Sequence, residues 1–375
     1  MILFLHNRYR VAGGEERVVD DLLWLVREHL GEDAELLTRD SATLGPARAA
    51  AGLVAGGLEP TAVAAAVRRT GARVVHAHNL LPAFGWRALA AARGAGARVV
   101  LHLHNYRLVC AVGTCVDPSG ADCTRCHGRN TAPGVRLNCR GTGPEAVVYG
   151  AALALWQRRL VEQADAVVVP SAAARDRLAA LGAPAAARDA TILGHVVRAG
   201  HEPPAASARG GGYALVTSRL AREKGIGVAI DACRAAGLRL VVCGEGPLEA
   251  ELRARAAGAD VTFAGRVDGA ELARLRAGAA VALVPSLAAE TFGLAALEAM
   301  AAGVPVVASR AGALAELEGD VELVAPGDAA ALAAAARRVA ADPDAGARAR
   351  AAALRRAAPE VVAPRLAAVY AAATA

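Results

Sequence analysis

Two doubly wound α/β domains in tandem are the fold class this 375-residue chain predicts. Three observations carry it. Short Val-rich runs alternate with Ala/Leu-rich helical stretches from end to end, the pattern restarts midway, and the chain is too long for one ordinary core. Hydrophobic residues make up 55% of the chain and aromatics only 3%, so the cores must be built from Val, Leu and Ala.

In the first series the strand candidates are Ile2–Leu5, Glu35–Leu37, Arg73–His76, Arg98–Leu103, Ala166–Val169 and Thr191–Leu193. Amphipathic helices separate them, for example Glu15–His29 and Pro144–Gln163. The second series runs Tyr213–Thr217, Arg239–Cys243, Val261–Phe263, Val281–Val284, Val304–Ala308 and Val321–Val324. Strands joined through helices of this length imply parallel sheets with right-handed crossovers. The expected division is 1–200, with a Cys-rich insertion at 106–142, then 201–357, then a terminal helix over 358–375 that returns to the first domain. Pro203-Pro204 and Gly210-Gly211-Gly212 mark the join, and Pro359 and Pro364 mark bends in the tail. Ligand is expected at the carboxyl ends of the strands, in a cleft between the domains.

Several classes drop out. No GxGxxG follows a strand, which argues against a nicotinamide dehydrogenase, and no GxxxxGK[ST] occurs, which removes a P-loop NTPase. No apolar run reaches the roughly 18–20 residues of a membrane span, and Met1–His6 lacks the basic start of a signal peptide, so the expectation is a cytoplasmic protein. Net charge is +6, all of it within residues 1–199, which hold 23 Arg against 17 Asp and Glu. That excess suits an acidic partner or contact with the inner face of an anionic membrane. Scattered arginines without aromatic platforms argue against nucleic acid.

Lys224 is the only lysine beside 41 arginines, so it marks a position suited to a compact point charge. With Arg219 it follows the second domain's first strand and could clamp a diphosphate. Glu290 and Glu298 flank a strand-to-helix junction through Thr291-Phe292-Gly293-Leu294, with the helix expected to start near Phe292 and offer free N–H groups to an anion. Gly244-Glu245-Gly246-Pro247 and Gly265-Arg266-Val267 close the next two strands.

This ordered set resembles the family 4 retaining glycosyltransferases, which have the GT-B fold, and the likeness covers nearly the whole chain. It implies that Glu298 hydrogen-bonds the ribose of a nucleoside diphosphate sugar. Glu290 would contact the donor sugar, and backbone N–H groups around Phe292, Gly293 and Leu294 would meet its hydroxyls and phosphate. Arg219 and Lys224 would hold the leaving pyrophosphate without a metal ion. Gly244 belongs to the same donor wall, and Arg266 and Val267 would offer backbone groups to the base. Gly13 and Gly14, before a helix, resemble the family's glycine-rich loop, where a side chain would block the phosphates. His104, after the fourth strand, would face the reaction centre. Retention in the family is described as front-face substitution, with the donor phosphate taking the proton of an acceptor hydroxyl. The alternatives are a GT-B nucleotide-sugar epimerase and a non-catalytic nucleotide-sugar-binding protein.

His102 and His104 alternate with Leu101 and Leu103, so one of them reads equally as a core histidine. At His76-Ala77-His78-Asn79 loop packing or acceptor contact is favoured over a metal pair. Cys110, Cys123, Cys126 and Cys139 are spaced x12, x2 and x12, with Cys115 left over. In a cytosolic chain this pattern points to a structural zinc ion on four thiolates rather than to disulfides, with His127 or Cys115 as the alternatives for one ligand, and a subset of family 4 has a similar insertion. Cys233 and Cys243 read as core residues.

Overall fold

The computed structural model describes residues 1–10, 13–198 and 212–375. The expected join, with Pro203-Pro204 and Gly210-Gly211, lies outside them. The chain forms two compact units: Met1–Pro118, Cys123–Val196 and Pro359–Ala375 in one, Ser119–Asp122 and Val197–Ala358 in the other.

The first unit holds a six-stranded sheet of β1 (Ile2–Arg8), β2 (Ala34–Asp40), β3 (Val74–Ala77), β4 (Arg98–His102), β5 (Ala166–Val169) and β6 (Thr191–Ile192), in the order β2-β1-β3-β4-β5-β6. All its pairs are parallel. β1 is buried from Ile2 through Asn7, as a strand covered on both faces must be, which is why Ile2–Leu5 reads as a continuous apolar run. The chain leaves β1 for β2 on one side and returns to β3 on the other, so the switch in direction falls between β1 and β3. Helix Gly14–His29 follows β1, with Glu15 and Glu16 in its first turn and Arg27 and His29 in its last, the charge order its dipole favours. Helix Pro359–Thr374 begins on Pro359, where a missing N–H costs nothing, and buries Tyr370 within this unit.

The second unit repeats the plan with β7 (Tyr213–Thr217), β8 (Arg239–Cys243), β9 (Val261–Gly265), β10 (Ala279–Val284), β11 (Val306–Ser309) and β12 (Glu322–Val324), in the order β12-β11-β10-β7-β8-β9. These pairs are also parallel, and the switch falls between β7 and β10. Val, Leu and Ala dominate both of its core clusters. Cys233 and Cys243 are buried there. Among the described residues no single helix is long and apolar enough to cross a membrane.

Candidate active site

In the second unit the carboxyl ends of the strands are tied together by backbone. Gly244 N–H donates to the Gly265 carbonyl at 2.8 Å, Ser218 N–H to Cys243 at 2.9 Å, and Leu220 N–H to Glu245 at 2.9 Å. These approaches are too close for a side chain. A Cβ on Gly244, at φ +132°, would stand 1.9 Å from the Ser218 oxygen. Gly225, at φ +64°, would put its Cβ 1.9 Å from the Pro285 oxygen. The turn Arg222–Lys224 is thereby pressed against the end of β10, and the Leu287 N–H donates to Glu223 across the switch point at 2.8 Å.

That closeness brings Lys224 to Glu290. The ammonium donates to Glu290 Oε1 at 2.7 Å, and Ser286 Oγ donates to the same oxygen at 2.6 Å. Burial pushes the Glu290 carboxyl up, but Lys224, Ser286 and the nearby Arg219 outweigh it and hold the group below the usual carboxylate range. Arg219 is half exposed and pairs with Glu223. Glu290 is fixed in the backbone too: Ala313 N–H donates to its carbonyl at 2.9 Å, and Gly312 fits beside it where a Cβ would meet that oxygen at 2.4 Å.

The following helix runs Leu294–Ala301, two residues later than the sequence suggests. Gly293 sits at φ +89° as its N-cap, and Phe292 lies before it, packed on the core. A left-handed Gly293 cannot be part of the helix, so Phe292 and Gly293 form the approach and Leu294 the first helical N–H. Glu298 is buried on this helix, and its Oε2 is held by Arg276 of helix Gly269–Gly278 in a charge-assisted pair. Arg266 is exposed beyond β9, and Val267 packs against the core.

In the first unit Gly14 opens the helix and Gly13 precedes it at φ −135°, extended backbone that any residue adopts. A need for glycine at 13 therefore comes only from whatever approaches the loop. Glu16 organises that loop, accepting from Tyr9 N–H at 3.0 Å and Gly13 N–H at 2.8 Å. Burial opposes ionisation of Glu16, yet His6 and these N–H donors bring its pKa down to about 2. Glu15 Oε2 accepts from Tyr9 Oη at 2.6 Å, and burial pushes the Glu15 carboxyl up.

β1, β3 and β4 place His6, His76, His78, His102 and His104 on one face, because residues two apart on a strand share a side. His78 Nδ1 meets His104 Nε2 at 2.7 Å. Burial, with His6 adding repulsion, pushes His104 down to about 3, so its ring is neutral at pH 7. His78, His102 and His104 line a cavity partly open to solvent, with Glu15, Asn105 and Trp86. Of the two readings open for His102 and His104, neither stands apart: their rings stack at 4.0 Å.

Cys110, Cys115, Cys123, Cys126 and Cys139 surround one small cavity, all as free thiols. Cys115 belongs to this group although the spacing leaves it out. It is buried at φ +53° and hydrogen-bonds Cys110, which lowers the Cys110 thiol to about 6. Soft thiolate donors at this spacing fit a tetrahedral zinc ion.

Sequence reasoning missed Ser286, Arg276, Glu15 and Arg107. Ser286 was readable, lying four residues before Glu290 at the strand end. Arg107 follows His104-Asn105 and donates to Asn79 Oδ1 at 3.1 Å, a pairing across 28 residues that no local pattern announces.

Residues 12–194 match the family described as glycosyl transferase 4-like domain, and residues 212–342 that described as glycosyl transferases group 1. A GDP-mannose-dependent alpha-(1-6)-phosphatidylinositol dimannoside mannosyltransferase of Mycobacterium tuberculosis is 49% identical over 105 residues, 26% of this chain and 27% of that protein. A glycogen synthase of M. tuberculosis is 37% identical over 198 residues, 49% of this chain and 47% of that protein. The matches thus span at most about half the length of these relatives. Sucrose-phosphate synthase from Thermosynechococcus elongatus superposes with a TM-score of 0.71 at 22% identity, covering 99% of this chain and 98% of that one. Anabaena HepE in complex with UDP-glucose gives 0.66 at 18% identity, covering 99% of each chain. The two family matches together take in most of the chain, and with two Rossmann-like units of matching fold it belongs among the family 4 glycosyltransferases of GT-B type.

Proposed function

We propose that the chain is a retaining glycosyltransferase that moves a sugar from a nucleoside diphosphate sugar to an acceptor hydroxyl, with no metal ion in the transfer step. The observation that carries this reading is the Lys224–Glu290–Ser286 cluster at the β7/β10 switch point, with Arg219 beside it. Two cations there meet the negative charge that grows on the diphosphate as its bond to the anomeric carbon breaks. Glu290 spends Oε1 on Lys224 and Ser286, which leaves Oε2 to accept a sugar hydroxyl. Arg276 acts on Glu298 as a positioning residue, orienting a carboxylate that takes the ribose hydroxyls. Neighbouring folds solved with UDP and UDP-glucose, and a GDP-mannose-dependent relative, support a nucleotide-sugar donor. They differ in base, and backbone recognition near Arg266 and Val267 suits either.

His104 and Glu15 line the cavity of the first unit and would meet the acceptor, a lipid-carrier or polysaccharide intermediate or a small aglycone. A cytoplasmic protein touching the inner membrane through its basic first unit suits the lipid-carrier case. Cys110, Cys123, Cys126 and Cys139 would hold a zinc ion that supplies the covalent-like cross-link an insertion poor in core residues lacks. The test is incubation with candidate donors and acceptors and NMR of the product's anomeric proton. Retained configuration at undiminished rate without added Mg²⁺ or Mn²⁺ is expected; an inverted product sinks the retaining reading, and epimerised nucleotide sugar favours the epimerase.

A further inference from the structure

We propose that His76, His78 and His102 form a binding site for a late first-row transition metal ion, apart from both the donor cluster and the cysteines. The three imidazoles offer ligand nitrogens that all lie within 4.8 Å of one another, and the residues are 0%, 3% and 1% exposed. A tetrahedral zinc ion with bonds of about 2.0–2.1 Å needs its nitrogens roughly 3.3 Å apart, a small inward rotation of the rings from this arrangement.

The hydrogen-bonding pattern singles out which nitrogens are available. His76 Nδ1 is engaged with Tyr370 Oη at 2.9 Å, and His78 Nδ1 with His104 Nε2 at 2.7 Å. His76 Nε2, His78 Nε2 and both nitrogens of His102 are buried without a hydrogen-bond partner. Buried polar atoms are almost always partnered, so unpartnered nitrogens on three residues whose ligand atoms lie within 4.8 Å of one another ask for a cation or a water. The pattern favours the cation. Metal-bound histidines characteristically use one nitrogen for the ion and the other for a fixing hydrogen bond, and His76 and His78 have that second contact in place. Neutral imidazole is the ligand form. All-nitrogen donors suit Zn²⁺, Co²⁺, Ni²⁺ or Cu²⁺ and disfavour Mg²⁺ and Ca²⁺, which take oxygen.

At His76 and His78 the sequence alone favours loop packing or acceptor contact over a metal pair. His102 comes from the next strand, and Tyr370 from a helix 294 residues away in sequence. The ion would fasten helix Pro359–Thr374, through Tyr370 and His76, to the carboxyl edge of β3 and β4. His78 and His102 also line the cavity, where a fourth position can take water.

The test uses the untagged full-length chain. Because the cysteines are expected to hold zinc, the protein is stripped, loaded with Co²⁺, desalted, and read by metal content and absorption. The wild type is expected to hold one equivalent with imidazole d–d bands and no thiolate charge transfer, in addition to any thiolate-bound ion. That equivalent should vanish in His102→Gln and persist in Cys123→Ser and in His29→Ala, an exposed control. Tyr370→Phe, which keeps the packing, should weaken Zn²⁺ affinity about 10–100-fold. A wild type that retains no ion beyond the thiolate site, or a His102→Gln variant that binds as much as the wild type, overturns the proposal.

Discussion

Removing the Lys224 ammonium should separate two consequences of one contact. In Lys224→Ala, Glu290, whose side chain is 16% exposed in the wild type, keeps Ser286 but loses its nearest cation at 2.7 Å. Breaking a fully buried pair costs about 3–5 kcal/mol. Lys224 is 28% exposed, so screening reduces that to roughly 1–3 kcal/mol. The pH dependence has a definite sign. Glu290 is held below its unfolded value, so its contribution is present above about pH 4.3 and is lost as pH falls through the folded value. Without Lys224 burial dominates, and the carboxyl becomes a liability at pH 7 that protonation relieves. The stability difference between wild type and Lys224→Ala should therefore shrink on going from pH 7 to pH 4, measured by urea unfolding at both. Turnover should fall by about 10²–10³, the size of losing one preorganised charge at the leaving group. Lys224→Arg should restore stability better than turnover, since a planar fork does not reproduce a point charge. A variant with wild-type turnover, or a stability difference that grows on acidification, would refute the reasoning.

Arg276→Leu removes the guanidinium that holds buried Glu298, and should lower the stability of the second unit by about 1–3 kcal/mol and weaken donor binding, by calorimetry. Glu16→Ala frees the Tyr9 and Gly13 amides, whose hydrogen exchange should speed up; in the wild type their protection should survive to pH 4, because Glu16 ionises down to about 2. Cys123→Ser should lose bound zinc and lower the melting temperature of the first unit, read by metal content and differential scanning calorimetry; equal zinc in variant and wild type would end the cysteine assignment.

The strands were legible because most are short apolar, often Val-rich runs bounded by turn residues, and twelve such runs alternate with helical stretches along the chain. Lys224 and Glu290 were legible because each lies in the segment that follows a strand beside the switch point. Their direct contact was not, since it depends on Gly225 letting the turn approach Pro285. The start of the helix at Leu294 was displaced by the left-handed Gly293, a property of φ that composition does not carry. Arg276 was invisible because it looks like any arginine of an amphipathic helix until the fold buries it against Glu298. The histidines were each visible at strand ends. What sequence could not supply is the sheet order that puts β3 beside β4, or the long-range return that brings Tyr370 to His76.

The most direct test of the central claim is calorimetric titration of the full-length chain, and of Lys224→Ala, with UDP, GDP, TDP and ADP sugars. The account predicts that one nucleotide series binds the wild type and that Lys224→Ala weakens it at least about tenfold, a loss of about 1.4 kcal/mol. Binding of equal strength to both proteins, or no binding to the wild type by any of the four, would contradict it.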